Sequence, residues 1–279
     1  MNYYDLLLAK NLNGGGGGST TIQELNVSAN GTYSAPTGTA YSPVNVNVGG
    51  DALGELLADT LSEYSNSVFS GAIPIYMFAS KSNLISVSIP KANTVGSSAF
   101  QNASKMTNIN LSGATMIYAN AFSSCKALTE ANFPSVAFIG GNAFYYCLSL
   151  VKVSMPTYAS EIPAGCFWGC QNLSDVYIPN AKIIGQSAFN SCYKIPSLSF
   201  ASATKVSAAA FNNCKSMSAI YFMNSSVAAL SNVNAFANTP MSNSTYIGDF
   251  GSIYVPSSLL ALYQSATNWL NYSARMVGV

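Results

Sequence analysis

The sequence predicts an α/β solenoid: coils of about 22 residues, with a parallel sheet on one face and helical turns on the other. Three observations predict it. First, a phenylalanine recurs at Phe78, Phe100, Phe122, Phe144, Phe167, Phe189, Phe211 and Phe236, in steps of 22, 22, 22, 23, 22, 22 and 25 residues. A period in the twenties marks coils that bury their apolar edges only against their neighbours. Second, counting from each Phe, position +3 is Cys125, Cys147, Cys170, Cys192 and Cys214 in five coils, with Lys81 and Ala103 in the first two. Position +6 is always apolar: Leu84, Met106, Leu128, Leu150, Leu173, Ile195 and Met217. Third, positions +9 and +11 are apolar pairs, from Val87/Ile89 through Val153/Met155 to Ile220/Phe222.

The alternation around +8 to +11 reads as a short strand. Pro90, Pro134, Pro156 and Pro179 follow it directly, and a residue without an N–H ends a ladder. Equivalent strands one coil apart must run parallel. The segment Ala-Phe-x-x-Cys-x-x-Leu has three-residue spacing, which predicts a helical turn on the opposite side. A further aliphatic falls near +17, at Val95, Ile117, Ile139, Ile184 and Val206, with Ile162 one place late in the longer coil.

Before the repeats, residues 1–50 read as a flexible leader. Gly14 to Gly18 is a glycine run. Glu24–Val27 and Tyr41–Val48 look like short strands separated by turn signals, a pattern that predicts a small β-hairpin. Residues 51–279 form the solenoid. Leucines at 53, 56, 57 and 61 have helical spacing and predict an N-terminal cap over 51–64. Residues 251–279 predict the C-terminal cap, with a strand at Ile253–Val255 and a helix around Ser257–Trp269.

Composition narrows the function. Of 279 residues, only 8% are charged, against roughly 25% in ordinary domains, and the net charge is +1. Nothing here suits nucleic acid or an acidic membrane. No apolar run reaches the 18 residues of a membrane-spanning helix, so no membrane insertion is expected. The first residues, MNYYDLLLAK, lack the basic and apolar regions of a secretory signal, so cytoplasmic retention or non-classical export, as in phage assembly, is the expected route. Cell surface and virion are the favoured locations. Histidine is absent, which removes the commonest general base and metal ligand. GGGGGST lacks the lysine of a phosphate loop. Neither catalysis, a cofactor nor a metal is expected.

The six cysteines read as a ladder of small buried thiols, since repeats place them one coil apart rather than in a ligand cluster. Outward strand positions +8 and +10 carry the candidate ligand contacts Asn110, Asn132, Glu130, Lys152, Asp175, Tyr177 and Tyr221. The signs of Glu130, Lys152 and Asp175 alternate on successive strands, which also serves sheet cohesion. A second candidate group, Tyr145, Trp168 and Tyr193 with Tyr146, sits just after the Phe or Cys landmarks of adjacent coils. Aromatics outside the repeated apolar slots either pack between coils or mark a recognition surface.

The pattern AFxxCxxLxxIxIPxAxxIGxxAF, seen over Ala121–Phe144 and Ala188–Phe211, resembles the BspA-like class of bacterial leucine-rich repeats. The resemblance covers about 65–279, including the ending from Ile253 through Tyr263, Trp269 and Met276. It implies a curved solenoid that binds or adheres, with a protein or glycan ligand. The leader, with YDLLLAKNLNGGGGG and NGTYSAPTGTAYSPVNVNV, also resembles leaders of prophage tail-associated proteins. That resemblance implies the alternative of a structural tail component, with a virion partner bound through residues 1–50.

Overall fold

The computed structural model describes residues 62–65, 67, 69–155, 161–242 and 250–279. The leader, its hairpin, the helix predicted from Leu53 to Leu61 and Pro156 lie outside the described residues. Within them the chain winds as a succession of short segments, and three segments of each coil stack on their counterparts.

The first is the strand at +8 to +10. Ser86–Ser88 pairs parallel with Asn108–Asn110, Glu130–Asn132 with Lys152–Ser154, Lys152–Ser154 with Asp175–Tyr177, and Ser197–Phe200 with Ala219–Phe222. The stack also extends beyond the repeats read from the sequence. Glu63–Ser65 pairs with Ser86–Ser88 ahead of the first landmark Phe. At the other end Ser252–Val255 joins Ala219–Phe222, and Met276–Gly278 adds a last strand.

The second is a two-residue strand at the aliphatic near +17. It forms ladders from Ala72–Ile73 through Thr94–Val95 and Met116–Ile117 to Phe138–Ile139, and from Glu161–Ile162 to Ala229–Leu230. Ile162 pairs with Ile184 in register, so the extra residue of its coil does not shift the column. The sequence showed the column but not the strand, because two residues are too few for alternation to register.

The third stands in place of the expected helical turn in every coil but the last, where Val233–Phe236 forms a 3-10 turn. Among the described residues no α-helix falls within the repeats. The Phe segment is instead a run of overlapping turns whose alternate N–H groups bond to two different places. Ser123 and Cys125 donate to Asn120 and Phe122 within their own coil, at 3.0 and 3.1 Å. Asn120, Phe122 and Ser124 donate to Gly141, Ala143 and Tyr145 of the next coil, at 3.0, 2.8 and 2.7 Å. This needs a left-handed residue two places before and two places after the Phe: Asn120 (φ 57°) and Ser124 (φ 60°) here, Ser98 and Asn102 one coil earlier. Asn, Ser and Gly dominate these two columns because short polar side chains and glycine tolerate that backbone best. Spacing of three is common to both arrangements. The left-handed residue types were the signal that separates them.

The interior holds the repeated columns. The landmark rings stack from coil to coil, with centroids 4.9 Å apart for Phe78–Phe100 and 5.1 Å for Phe122–Phe144. All six cysteines are free and buried. Each +3 thiol donates to the Phe carbonyl of the preceding coil, as Cys147 Sγ does to Phe122 at 3.1 Å. That bond gives cysteine an advantage over alanine in a slot of the same size. Burial pushes the Cys125, Cys166, Cys170, Cys192 and Cys214 thiols above their ordinary range, so they stay protonated.

The final segment closes the stack with aromatics rather than one helix. A 3-10 turn at Ser257–Leu259 leads into the α-helix Leu260–Ser265, and a second 3-10 stretch covers Trp269–Arg275. The break comes at Asn268, whose φ of 66° no helix accommodates. It turns Trp269 inward against Phe222 and Tyr263, where the indole N–H donates to the Ala228 carbonyl at 2.6 Å.

Candidate functional site

Alternation fixes which strand residues face out. Val153 is buried while Lys152 is exposed, and Ala131 is buried between exposed Glu130 and Asn132. The structure places Asn110, Asn132, Glu130, Lys152, Asp175 and Tyr177 on this outer face, all exposed. Tyr177 is the most open aromatic among them, at 54% exposure. Tyr221 is half-buried, because it stacks on Tyr254 of the next coil at 4.5 Å with the rings 10° from parallel. Sequence reasoning missed Tyr254. Its signal was there: Ile-Tyr-Val-Pro repeats the strand pattern one coil past Tyr221.

The charged ladder is weaker than its alternation suggests. Lys152 Nζ lies 3.5 Å from Asp175 Oδ2, with both side chains about half exposed (51% and 57%). An exposed pair of this kind contributes at most about 1 kcal/mol, less in salt. Among the described residues no ion pair joins Glu130 to Lys152.

The outer face is not one continuous sheet. Its strands run in three hydrogen-bonded groups, and the seams fall after Asn108–Asn110 and after Asp175–Tyr177. The second seam has a visible cause. Ile85, Thr107, Val151, Ser174 and Ser218 donate the +7 N–H to the preceding coil, as Val151 does to Thr129 at 2.8 Å, whereas Pro196 occupies that position and has no N–H. Beside the seams the inward residues Ile109 and Val176 are only partly buried, unlike Val87, Val153 and Ile220. The first seam lies under a shallow groove of about 420 Å³. Ser86, Ser88, Thr107, Asn108 and Asn110 line it with Glu130, over Val87 and Ile109. Its walls therefore offer hydroxyls, amides and one carboxylate. The threonine and serine walls were not legible from the +8 and +10 columns alone.

The second aromatic group lies on the turn side of the coil, away from the strands. Tyr145 contacts Tyr146 at 4.5 Å and stands nearly perpendicular to Trp168 at 5.6 Å. Tyr193 does not join them. It sits three positions further along its coil than Tyr145 does, and Lys215 Nζ covers its ring at 5.0 Å.

Chemically, the outer face offers hydroxyls, amides, aromatic rings and scattered charges. Among the described residues no three His, Cys, Asp or Glu side chains gather where a metal ion could be held. The thiols are all buried, burial holds those of Cys125, Cys166, Cys170, Cys192 and Cys214 protonated, and no described coil carries more than one carboxylate.

Comparison with known proteins agrees with this architecture. The model of the BspA type leucine rich repeat region matches residues 71–181 and 137–257, with six copies. The chain belongs to that family. Among solved structures, a leucine-rich repeat protein from Eubacterium ventriosum is 23% identical with a TM-score of 0.50, covering 68% of this chain and 46% of its own. The T. pallidum leucine rich repeat protein is 24% identical with a TM-score of 0.38, covering 47% of this chain and 78% of its own. A leucine rich cell surface protein from Faecalibacterium prausnitzii is 16% identical with a TM-score of 0.29, covering 92% and 91%. No curated protein sequence matches.

Proposed function

We propose that the chain is a non-enzymatic recognition module that binds a protein or glycan ligand through its outer strand face. The observation that carries this reading is the display of exposed polar and aromatic side chains at repeated positions of a stacked scaffold. Asn110, Asn132 and Tyr177 project at identical positions of their coils, and none is needed for the core. A solenoid presents such a surface with little ordering cost, because the scaffold is set by the interior columns. Seams and groove add relief to an otherwise regular face. The family supports binding rather than turnover. The reading puts the module at a cell surface, where a ligand can reach it.

Array binding tests it. The full chain should retain a protein or glycan on an array, and Tyr177→Ala with Tyr221→Ala should weaken that retention at least about tenfold, or 1.4 kcal/mol. Melting of the variant must stay close to that of the parent for the result to count. Retention unchanged by the double substitution would move recognition off this face.

A further inference from the structure

We infer that the turn side carries a separate site for a neutral oligosaccharide, built from Tyr145, Tyr146 and Trp168. It rests on the recognition reading above but not on the strand face. On the turn side the positions one and two places after each Phe are small or polar in most coils: Ser123 and Ser124, Asn190 and Ser191, Asn212 and Asn213. Only in two adjacent coils do they become large aromatics. Tyr146 even occupies a left-handed position, φ 55°, where a bulky ring is unfavourable.

The neighbouring coil makes room for it. Gly165 and Gly169 are the two left-handed residues of that coil, at positions that Ser or Asn fill in most coils. A Cβ on Gly169 would lie 2.9 Å from Cδ2 of Tyr146, and one on Gly165 would lie 2.1 Å from Oδ1 of Asn142. The glycines thus form a floor on which the Tyr146 ring and the Asn142 amide rest. Aromatics and glycines are independent substitutions in neighbouring coils, and together they shape one place.

Its chemistry points to a sugar. Trp168 is partly exposed, with Tyr145 as a perpendicular wall, an arrangement that suits the apolar face of a pyranose. Among the described residues the Trp168 indole N–H and the Tyr145 and Tyr146 hydroxyls have no hydrogen-bond partner, so all three can meet sugar hydroxyls. At the equivalent turn-side positions of the coils on either side, Ser123, Ser124, Asn190 and Ser191 are uncharged, as is Asn142 beside Tyr146.

The test titrates the full chain with cellotetraose, mannotetraose and tetra-N-acetylchitotetraose while following tryptophan emission. Trp168 is the reporter, since the other tryptophan, Trp269, is fully buried. At least one sugar should change the emission, and Tyr145→Ala should weaken its binding by about tenfold or more. Gly169→Asn should do the same: Asn tolerates the left-handed backbone, as Asn102 and Asn213 show, yet displaces the Tyr146 ring. Tyr177→Ala, on the strand face, should leave the sugar-induced change in Trp168 emission in place, whatever it does to ligands of that face. No binding below about 10 mM, a weak limit even for small ligands, overturns the proposal. So does binding that survives both turn-side substitutions. Sugar binding lost on Tyr177→Ala also overturns it, while supporting the strand-face reading, so the two fail separately.

Discussion

The strand side and the turn side of this solenoid come from the same repeat, yet they obey different rules. On the strand side the backbone is extended, and outward positions accept Ser, Asn, Glu, Lys, Asp or Tyr without consequence for the fold. On the turn side two residues per coil are left-handed, and the side chains there are confined to Asn, Ser and Gly with few exceptions. Variation on the strand side is therefore free of any backbone requirement. A large aromatic on the turn side, with glycines cleared beside it, departs from a backbone requirement and marks a built feature.

If that contrast is right, the largest effect should come from the interior of the turn side, at alkaline pH. Unfolded thiols ionise near pH 8.5, roughly, while the five buried thiols with raised values keep their protons when folded. The folded chain then holds more protons than the unfolded one. Stability is fully present below the unfolded value and declines as pH rises above it, by up to about 1.4 kcal/mol per thiol for each pH unit. Urea denaturation at neutral and at alkaline pH reads this directly, and Cys192→Ala should flatten the decline. A stability independent of pH across that window would show that the thiols reach solvent.

Next in size, Phe144→Ala should cost about 3–5 kcal/mol, because the ring stacks between its neighbours and leaves a cavity that two coils share. The flanking centroids are 5.1 and 5.5 Å away, at Phe122 and Phe167. Chemical denaturation measures it. A loss below about 1 kcal/mol would mean that the coils do not depend on the phenylalanine stack.

The smallest effect sharpens the contrast most, since one residue type is placed on both sides. Asn102→Val puts a β-branched residue at φ 61° and should destabilise by about 1–3 kcal/mol. Ser154→Val, in a strand, should stay within about 0.5 kcal/mol of the parent or stabilise it. Equal melting temperatures for the two variants would erase the distinction between the sides.

Much of the fold was readable from residues. The Phe, Cys and Leu columns recur in register, and each column is a contact between a coil and its copy, so periodicity alone exposes it. The parallel outer strands and the outward placement of Lys152 and Asp175 followed from alternation. The turn run was misread because Phe-x-x-Cys-x-x-Leu spacing fits a helical turn equally well. Tyr193 was grouped with Tyr145 by nearness to a landmark, although a difference of three positions along the coil puts it under Lys215 instead.

By itself, then, the sequence determined the coil, its period and which side chains enter the core, because those depend on a repeat that every coil states again. Only the tertiary structure decided where the sheet parts at its seams, that Tyr221 pairs with Tyr254, that Tyr145 meets Trp168, and that Tyr146 rests against Gly169. These join residues that differ from coil to coil. Their meeting depends on the side-chain sizes and backbone hydrogen bonds of particular neighbours, which no average over the repeat contains.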